Sequence, residues 1–518
     1  MSIFGHVPVD RLNIDEGNNC PMDLSHHRFC VGLEMAVVQD RSEDEAHADL
    51  TSVQPDSRVD PVMFTLILKF LQTPGQVLLV QGPPGSGKTT FALEILNSLD
   101  ETHKIYASSR VAPTRLRQHF PWIDEVIDTM SGRTARASWI DELHDLRRVE
   151  PDTIFNQVLR LKHSKQRAVL VVDSWEGAIR NTNDEGRKML ESAVLSELDE
   201  SKVSVVIVVE DSRKAGDLGY LVDGIITLDQ SELDGRRVRT IAMNKLRGFS
   251  VPTKRGIFSL DKARFTILPN GLRQPRINSP PKPLEPVPHP SGGFSLGSKD
   301  MDQMLGGSIP RGAFLLIDVD SSVSPLEIRT VLNMMRANFI NQKGPCVIVP
   351  TAAYSSDTVA ESLSKYVGWD AIDERVRILE YNQSLAPKKW RLVMKSNLSD
   401  DVKTFAHAWD ELAKISPHRM LDINVDKAVQ VYGRDELSVP GLTELGANMR
   451  DTEGLNIAIA STDSKLRDQW LSVVDYHLKI KNADGSLVIY GVKPFTPLYG
   501  VDLNFDRGYP VLNLMQIV

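Results

Sequence analysis

The chain has 518 residues, enough for two or three domains, with 41% hydrophobic and 25% charged residues, ordinary values for a globular protein. A formal net charge of −8 gives no global attraction to nucleic acid and is too mild for the acidic surface of an extreme halophile. Three cysteines, Cys20, Cys30 and Cys346, exclude a disulfide framework, and no long apolar run or basic-then-apolar leader is present. These features predict a soluble, cytoplasmic protein without membrane contact. Cys20 and Cys30 flank His26 and His27, but that spacing matches no zinc pattern.

Residues 1–58 alternate polar clusters with short apolar pieces. "DRSEDEAHADLTSVQPDSR" is acidic, serine-rich and without a helical stripe, so this stretch reads as an extended or disordered arm. Met63, Leu66, Ile67 and Phe70 then share a helical face, and "TPG" ends the helix. A buried strand, "QVLLVQG", runs into "GPPGSGKTT" and an amphipathic helix. "HKIYASS", "RAVLVVDSW", "KVSVVIVVED" and "GIITLDQ" read as further strands, and "RVRTIAMNKLRG" pairs with "GIFSLDKARFTILP" as late antiparallel strands. Strands alternating with helices predict a doubly wound α/β sheet. Residues 273–293 are dense in proline and read as a linker between two similar-sized domains, 59–272 and 294–518. The second domain repeats the α/β pattern from "GAFLLIDV" to "YPVLNLMQIV".

The stretch Gly82 to Thr89 fits G-x-x-x-x-G-K-[ST] with a strand before it and a helix after it. Backbone N–H groups of Gly82, Pro83, Pro84, Gly85, Ser86, Gly87, Lys88, Thr89 and Thr90, the prolines excepted, are expected to cradle the phosphates of ATP. Lys88 is expected to reach the β- and γ-phosphates, and Thr89 to coordinate Mg²⁺. Asp173, at the end of an apolar strand, is the expected second metal anchor. A carboxylate that polarises water would be expected after the second strand, but Ser108, Ser109 and Arg110 stand there. Glu176, Glu210 and Asp211 are the remaining candidates, so slow hydrolysis is expected. In the second domain the first strand runs into Asp318, Val319, Asp320, Ser321, Ser322, Val323, Ser324 and Pro325, without glycines or lysine. Two carboxylates there would repel a polyphosphate, so no ordinary nucleotide site is expected; a cation held by them is the alternative.

"LVDGIITLDQSELDGRRVRTIAMNKLRG" resembles the end of a KaiC-type RecA domain, with Asp223-Gly224 opening a strand and Lys245-Leu246-Arg247-Gly248 closing the hairpin. The resemblance implies that Lys245 and Arg247 reach the nucleotide of an adjacent subunit in a homo-oligomer and act on its γ-phosphate, as arginine fingers do. "FSLGSKDMDQMLGGSIPRG" is similar to the entry of KaiC-like domains, which implies two tandem RecA-like P-loop domains, the second with a degenerate phosphate loop. "ASSRVAPTRLRQHFPWID" looks like text found in the archaeal gas-vesicle regulators of the GvpD family. That resemblance covers the chain from about residue 60 onward. It implies a cytosolic repressor of gas vesicle synthesis that restrains a transcription activator through protein contact. The chain departs from that pattern in its long N-terminal arm and its mild charge.

A basic excess lies between residues 110 and 167: Arg110, Arg115, Arg117, Arg133, Arg136, Arg147, Arg148, Lys162, Lys165 and Arg167, interleaved with Asp141, Glu142 and Asp145. It reads either as solvated helix faces or as a docking surface for an acidic partner or nucleic acid. Sparse aromatics and the lack of a recognition-helix motif favour protein over DNA. Three functional readings follow: a nucleotide-switched regulatory ATPase, a DNA-dependent RecA-like recombination or repair ATPase, and a scaffold with structural nucleotide.

Overall fold

The computed structural model describes residues 61–518 except 101, 125–139, 141, 146–166, 181–184, 186–187, 189–190, 193–201, 211–217, 273–279, 434–448 and 465. The arm 1–58 with Cys20, Cys30, His26 and His27 lies outside the described residues. So do Asp211, Asp141, Arg133, Arg136, Arg147, Arg148, Lys162 and Lys165, and the first third of the proline-rich stretch.

The strands are β1 (Val77–Gln81), β2 (His103–Ser108), β3 (Glu142–Asp145), β4 (Ala168–Asp173), β5 (Val203–Val209), β6 (Gly224–Leu233), β7 (Arg236–Leu246), β8 (Arg255–Ser259) and β9 (Thr266–Ile267). They form a 9-stranded sheet in the order β3-β2-β4-β5-β1-β6-β7-β8-β9. The strands from β3 to β6 run parallel, and β7 to β9 continue as an antiparallel meander. All seven residues of β5 are buried, as a parallel strand covered on both faces requires. Alternation along β1 divides the core in two. Leu78 and Val80 join Met63, Ile67 and Phe70 of helix α1 (Pro61–Gln72), whereas Val77 and Leu79 face the opposite layer. Helix α2 (Lys88–Asn97) buries Phe91 against Phe265, with ring centroids 4.7 Å apart.

β10 (Gly293–Phe294) pairs antiparallel with β11 (Ile309–Pro310), and a second, 10-stranded sheet uses β12 (Phe314–Val319), β13 (Cys346–Val349), β14 (Val376–Glu380), β15 (Arg391–Val393), β16 (Met420–Asn424), β17 (Leu455–Ser461), β18 (Tyr476–Ala483), β19 (Ser486–Lys493), β20 (Tyr499–Asn504) and β21 (Val511–Gln516). Its order is β15-β14-β13-β16-β17-β12-β18-β19-β20-β21. β12 lies between two parallel neighbours, as β1 does, and an antiparallel meander again completes the sheet. Both bodies are therefore mixed α/β with large parallel sheets.

Four strands lay beyond the sequence reading. β3, "ELHD", has no apolar run; Glu142 and Asp145 sit on this edge strand rather than on a helix face. β15 is three residues long, β20 carries a central Asp502, and β16 hides Asp422 in its middle. Asp422 is neutralised at 2.6 Å by Arg336 of helix α3 (Pro325–Asn341), with both side chains almost wholly buried.

The described part of the proline-rich stretch, residues 280–293, is not a free tether. Four of its N–H groups are donated in turn to the second body: Lys282 to the Gly508 carbonyl, Leu284 to that of Tyr366, Val287 to Asn338 and His289 to Gln342. The intervening prolines have no N–H to satisfy, so an extended strap leaves few donors unpaired. Leu284 is buried in the second core. Among the described residues no helix is long and apolar enough to cross a membrane.

His289 closes this strap against Phe294 and Phe339, and its Nδ1 accepts a hydrogen bond from the Ser295 N–H at 3.1 Å. Burial first, and the His418 ring second, push its pKa from 6.5 down to about 4. Because the folded pKa is depressed, the unfolded chain takes up the proton more readily. The stabilising contribution is therefore full above pH 6.5 and is lost as pH falls toward 4. Urea unfolding at pH 6.5 and pH 4 should show a smaller pH-dependent loss of stability in His289→Gln than in the parent. Identical losses would show that this ring is not a source of acid sensitivity.

Candidate nucleotide-binding site

β1 delivers the chain to Gly82 at the C-terminal edge of the parallel strands, where open α/β sheets place ligands. A Cβ at Gly82 would run into the Leu228 carbonyl of β6 and lie 2.9 Å from Ser86 Oγ, so only glycine fits. Gly87, at φ 94°, turns the chain into α2. Between them the Ser86 N–H bonds to the Pro83 carbonyl at 3.2 Å, closing the loop across Pro83, Pro84 and Gly85. Lys88 lies over this loop, its Nζ donating to the carbonyls of Gly82 at 2.6 Å and Pro83 at 2.8 Å. Burial lowers the Lys88 pKa, the charges of Asp173 and Glu176 oppose that, and Arg110 adds to it. Thr90 is buried in the same first turn of α2.

Thr89 Oγ1 donates to Asp173 Oδ2 at 2.6 Å, joining the start of α2 to the end of β4. The same carboxylate oxygen accepts from the Tyr106 hydroxyl at 2.5 Å. Tyr106 was not singled out in the sequence; its position inside an apolar strand is all that marks it. Burial, and next the Asp173 charge, raise its pKa well above the ordinary value, so it remains a donor.

The end of β2 supplies no carboxylate, and the structure shows what its serines do instead. Ser109 N–H donates to the Asp173 carbonyl at 2.7 Å, and Ser109 Oγ both accepts from the Ser174 N–H at 2.8 Å and donates to the Ser174 carbonyl at 2.9 Å. Any Cβ at Gly177 would collide with Ser109 Oγ. Arg110 is ion-paired with Glu210, whose N–H donates to Glu176 Oε1 at 2.7 Å. Of the two described alternatives, Glu176 and Glu210, Glu176 is the one whose charge is felt at Lys88.

Lys245 and Arg247 are not brought to the loop of their own chain. Lys245 pairs in register with Ile225, which is aligned with Leu79 of β1, three residues before Gly82. Its Nζ donates to the Val222 carbonyl at 2.5 Å, and Arg247 pairs with Asp223 at 2.9 Å at the strand-start edge of the sheet.

The end of β12 in the second sheet is built differently. Asp318 is completely buried and accepts from Thr462 Oγ1 at 2.7 Å and Arg467 Nε at 2.7 Å, with His477 Nε2 at 3.3 Å. Burial pushes its pKa up, but bonds from His477, Thr462 and Arg467 outweigh this and hold the carboxyl below its usual range. Asp320 takes the Ser322 N–H at 3.0 Å and Lys481 at 3.6 Å. The carboxylates expected to confront a polyphosphate are therefore turned to partners within the protein. Among the described residues no group of three or more His, Cys, Asp and Glu side chains could hold a metal ion. Helix α3 starts with a capping box between Ser324 and Glu327, so its first N–H groups are satisfied by side chains.

The bond from Tyr106 gives a direct test of how Asp173 is held. Tyr106→Phe removes one of two donors from a buried carboxylate oxygen and should lower folding stability by roughly 1.5–3 kcal/mol, the range for bonds to charged groups. Chemical denaturation measures this; an unchanged stability would show that Thr89 alone positions Asp173.

Comparison with known proteins agrees with this geometry. Residues 67–244 match the family model described as the P-loop domain of the GvpD gas vesicle protein. Protein GvpD1 of Halobacterium salinarum is 22% identical, with 87% of this chain and 95% of the relative aligned. Protein GvpD2 of the same organism is 23% identical over the same shares of the two chains. A UPF0273 protein of Pyrococcus furiosus is 27% identical over 39% of this chain and 89% of its own length. Residues 67–244 thus match a P-loop domain of the GvpD type, and the similarity to GvpD1 and GvpD2 extends over most of the chain.

Proposed function

We propose that the chain is an ATP-binding regulatory protein, with slow hydrolysis, that restrains gas vesicle synthesis as a nucleotide-dependent switch acting through protein contacts. The observation that carries this is the closed loop from Gly82 to Thr89 with Thr89 bonded to Asp173. The residues fit Mg²⁺-ATP. Gly85 has open space on its Cβ side, Ser86 Oγ is buried without a hydrogen-bond partner among the described residues, and Lys88 Nζ lies over the loop. Thr89 and Asp173 offer the hard oxygens that Mg²⁺ takes. When bound, Mg²⁺ would neutralise charge on the β- and γ-phosphates.

Slow hydrolysis follows from Ser108, Ser109 and Arg110 at the end of β2, which leaves Glu176 as the described candidate base whose charge reaches Lys88. A long-lived bound state suits a switch. The second body reads as a tandem RecA-like domain with a degenerate loop, since β12 occupies the place of β1 while Asp318 is neutralised internally. Its role is contact, with a transcription activator as the partner class that the resemblance suggests. Lys245 and Arg247, at the edge remote from their own loop, suit action on a neighbouring subunit in a homo-oligomer.

Lys88→Ala should retain the fold by circular dichroism and lose ATP binding in a fluorescent-nucleotide titration. Retained binding would remove the loop from the function, and intact partner regulation in a folded, non-binding variant would favour the scaffold reading. Lys245→Ala should leave ATP affinity unchanged and slow turnover only in samples that light scattering shows to be assembled. Equal slowing in monomers would refute action in trans, and hydrolysis stimulated by DNA would favour the recombinase reading.

A further inference from the structure

The β6–β7 hairpin touches both the phosphate loop and the second body. At its root, the Leu228 carbonyl backs Gly82. At its tip, Arg236 donates to the carbonyls of Thr496 at 2.7 Å and Gly491 at 2.6 Å and lies over the rings of Tyr490 and Phe495. Asp234 beside it receives the Tyr490 hydroxyl and Lys479. Between root and tip stands Arg239. Its Nη1 donates to the Gly85 carbonyl inside the phosphate loop at 2.8 Å, and its Nε donates to the main-chain oxygen of Val518 just beyond β21.

Three features separate Arg239 from an ordinary surface arginine. It is only 6% exposed. Among the described residues no Asp or Glu side chain pairs with it, and both hydrogen bonds go to main-chain oxygens. Burial lowers its pKa, and Arg237 lowers it further. A buried guanidinium is costly unless its donors are satisfied, so both ends of this bridge matter to it. Here it is placed within one bond of the loop that would receive a polyanion.

The segment it holds at the other end is seated by more than this one bond. The Ile517 N–H donates to the Leu498 carbonyl at 2.9 Å, and Ser259 Oγ donates to the Gln516 carbonyl. Ile517 is buried with Val238, Ile257 and Leu268 of the first body and Val488, Tyr490 and Leu498 of the second.

We propose that Arg239 is a positioning residue that couples loading of the phosphate loop to the seating of residues 511–518. This rests on the nucleotide-switch reading above. Its planar fork bridges two main-chain oxygens at once, which a lysine ammonium on a flexible stem does not reproduce. Occupation of the loop fixes Gly85, Gly85 fixes Arg239, and Arg239 fixes Val518. Linkage makes the effect reciprocal: an unseated end weakens nucleotide binding by the same factor by which nucleotide tightens the seat.

The test is hydrogen exchange of the full chain with and without a non-hydrolysable ATP analogue and Mg²⁺. The analogue should slow exchange across 511–518 about fivefold or more, the lower end of typical coupling factors. Arg239→Lys, which keeps the charge, should lose this dependence. Binding of the analogue to the parent chain with unchanged exchange at 511–518 overturns the coupling alone. Protection that persists in Arg239→Lys does the same. No binding by the parent overturns the switch reading and the coupling together. Should Arg239→Lys fail to fold, Ile517→Asp carries the test from the other side, because it leaves loop and arginine intact. Its analogue affinity should fall by the same factor, and an unchanged affinity refutes the proposal.

Discussion

The contact on which the rest is built is the close approach of Gly82 to the Leu228 carbonyl. No side chain fits between the end of β1 and β6, so the phosphate loop is pressed against the strand that leads into the hairpin. From there the arrangement follows by short links. α2 starts at Gly87, Thr89 reaches Asp173 on β4, and Tyr106 from β2 secures the same oxygen. The hairpin that backs the loop also reaches the second body through Asp234 and Arg236. A loop pinned to so few elements has limited freedom to change shape without moving its neighbours.

The two bodies share one sheet plan and differ in the chemistry at one strand end. In the first, an apolar strand opens into glycines, leaving backbone N–H groups available along the loop. In the second, the strand ends on a buried carboxylate neutralised by Arg467, with Thr462 and His477 beside it. The apolar alternation that builds the core is kept in both, since Leu315 and Ile317 face one layer while Phe314 and Leu316 face the other. Core packing and ligand chemistry are thus separable at this position in the fold.

Much of this was legible in the sequence because it is local. The glycine pattern, the strand before it and the helix after it lie within one short stretch, and Asp173 ends an unbroken apolar run. What stayed hidden is long-range. Arg239 sits among three arginines in "GRRVRT", and its partners Gly85 and Val518 are 154 and 279 residues away. Asp318 looked like an obstacle to phosphate because Thr462, Arg467 and His477 join it from 144 to 159 residues downstream. Composition marks the proline-rich strap only as a linker, because it reports missing donors but not the acceptors waiting for those that remain.

The knot around Asp318 also limits what its own strand end can become. Grafting a glycine-lysine loop onto residues 318–325 would delete the carboxylate and leave Arg467 facing a new lysine across a buried floor, with His477 unpartnered beside it. A workable graft would have to change strands β12 and β18 and the Arg467 segment together. Position 318 is therefore entrenched: residues far along the chain have grown around its charge, and they hold it where it is.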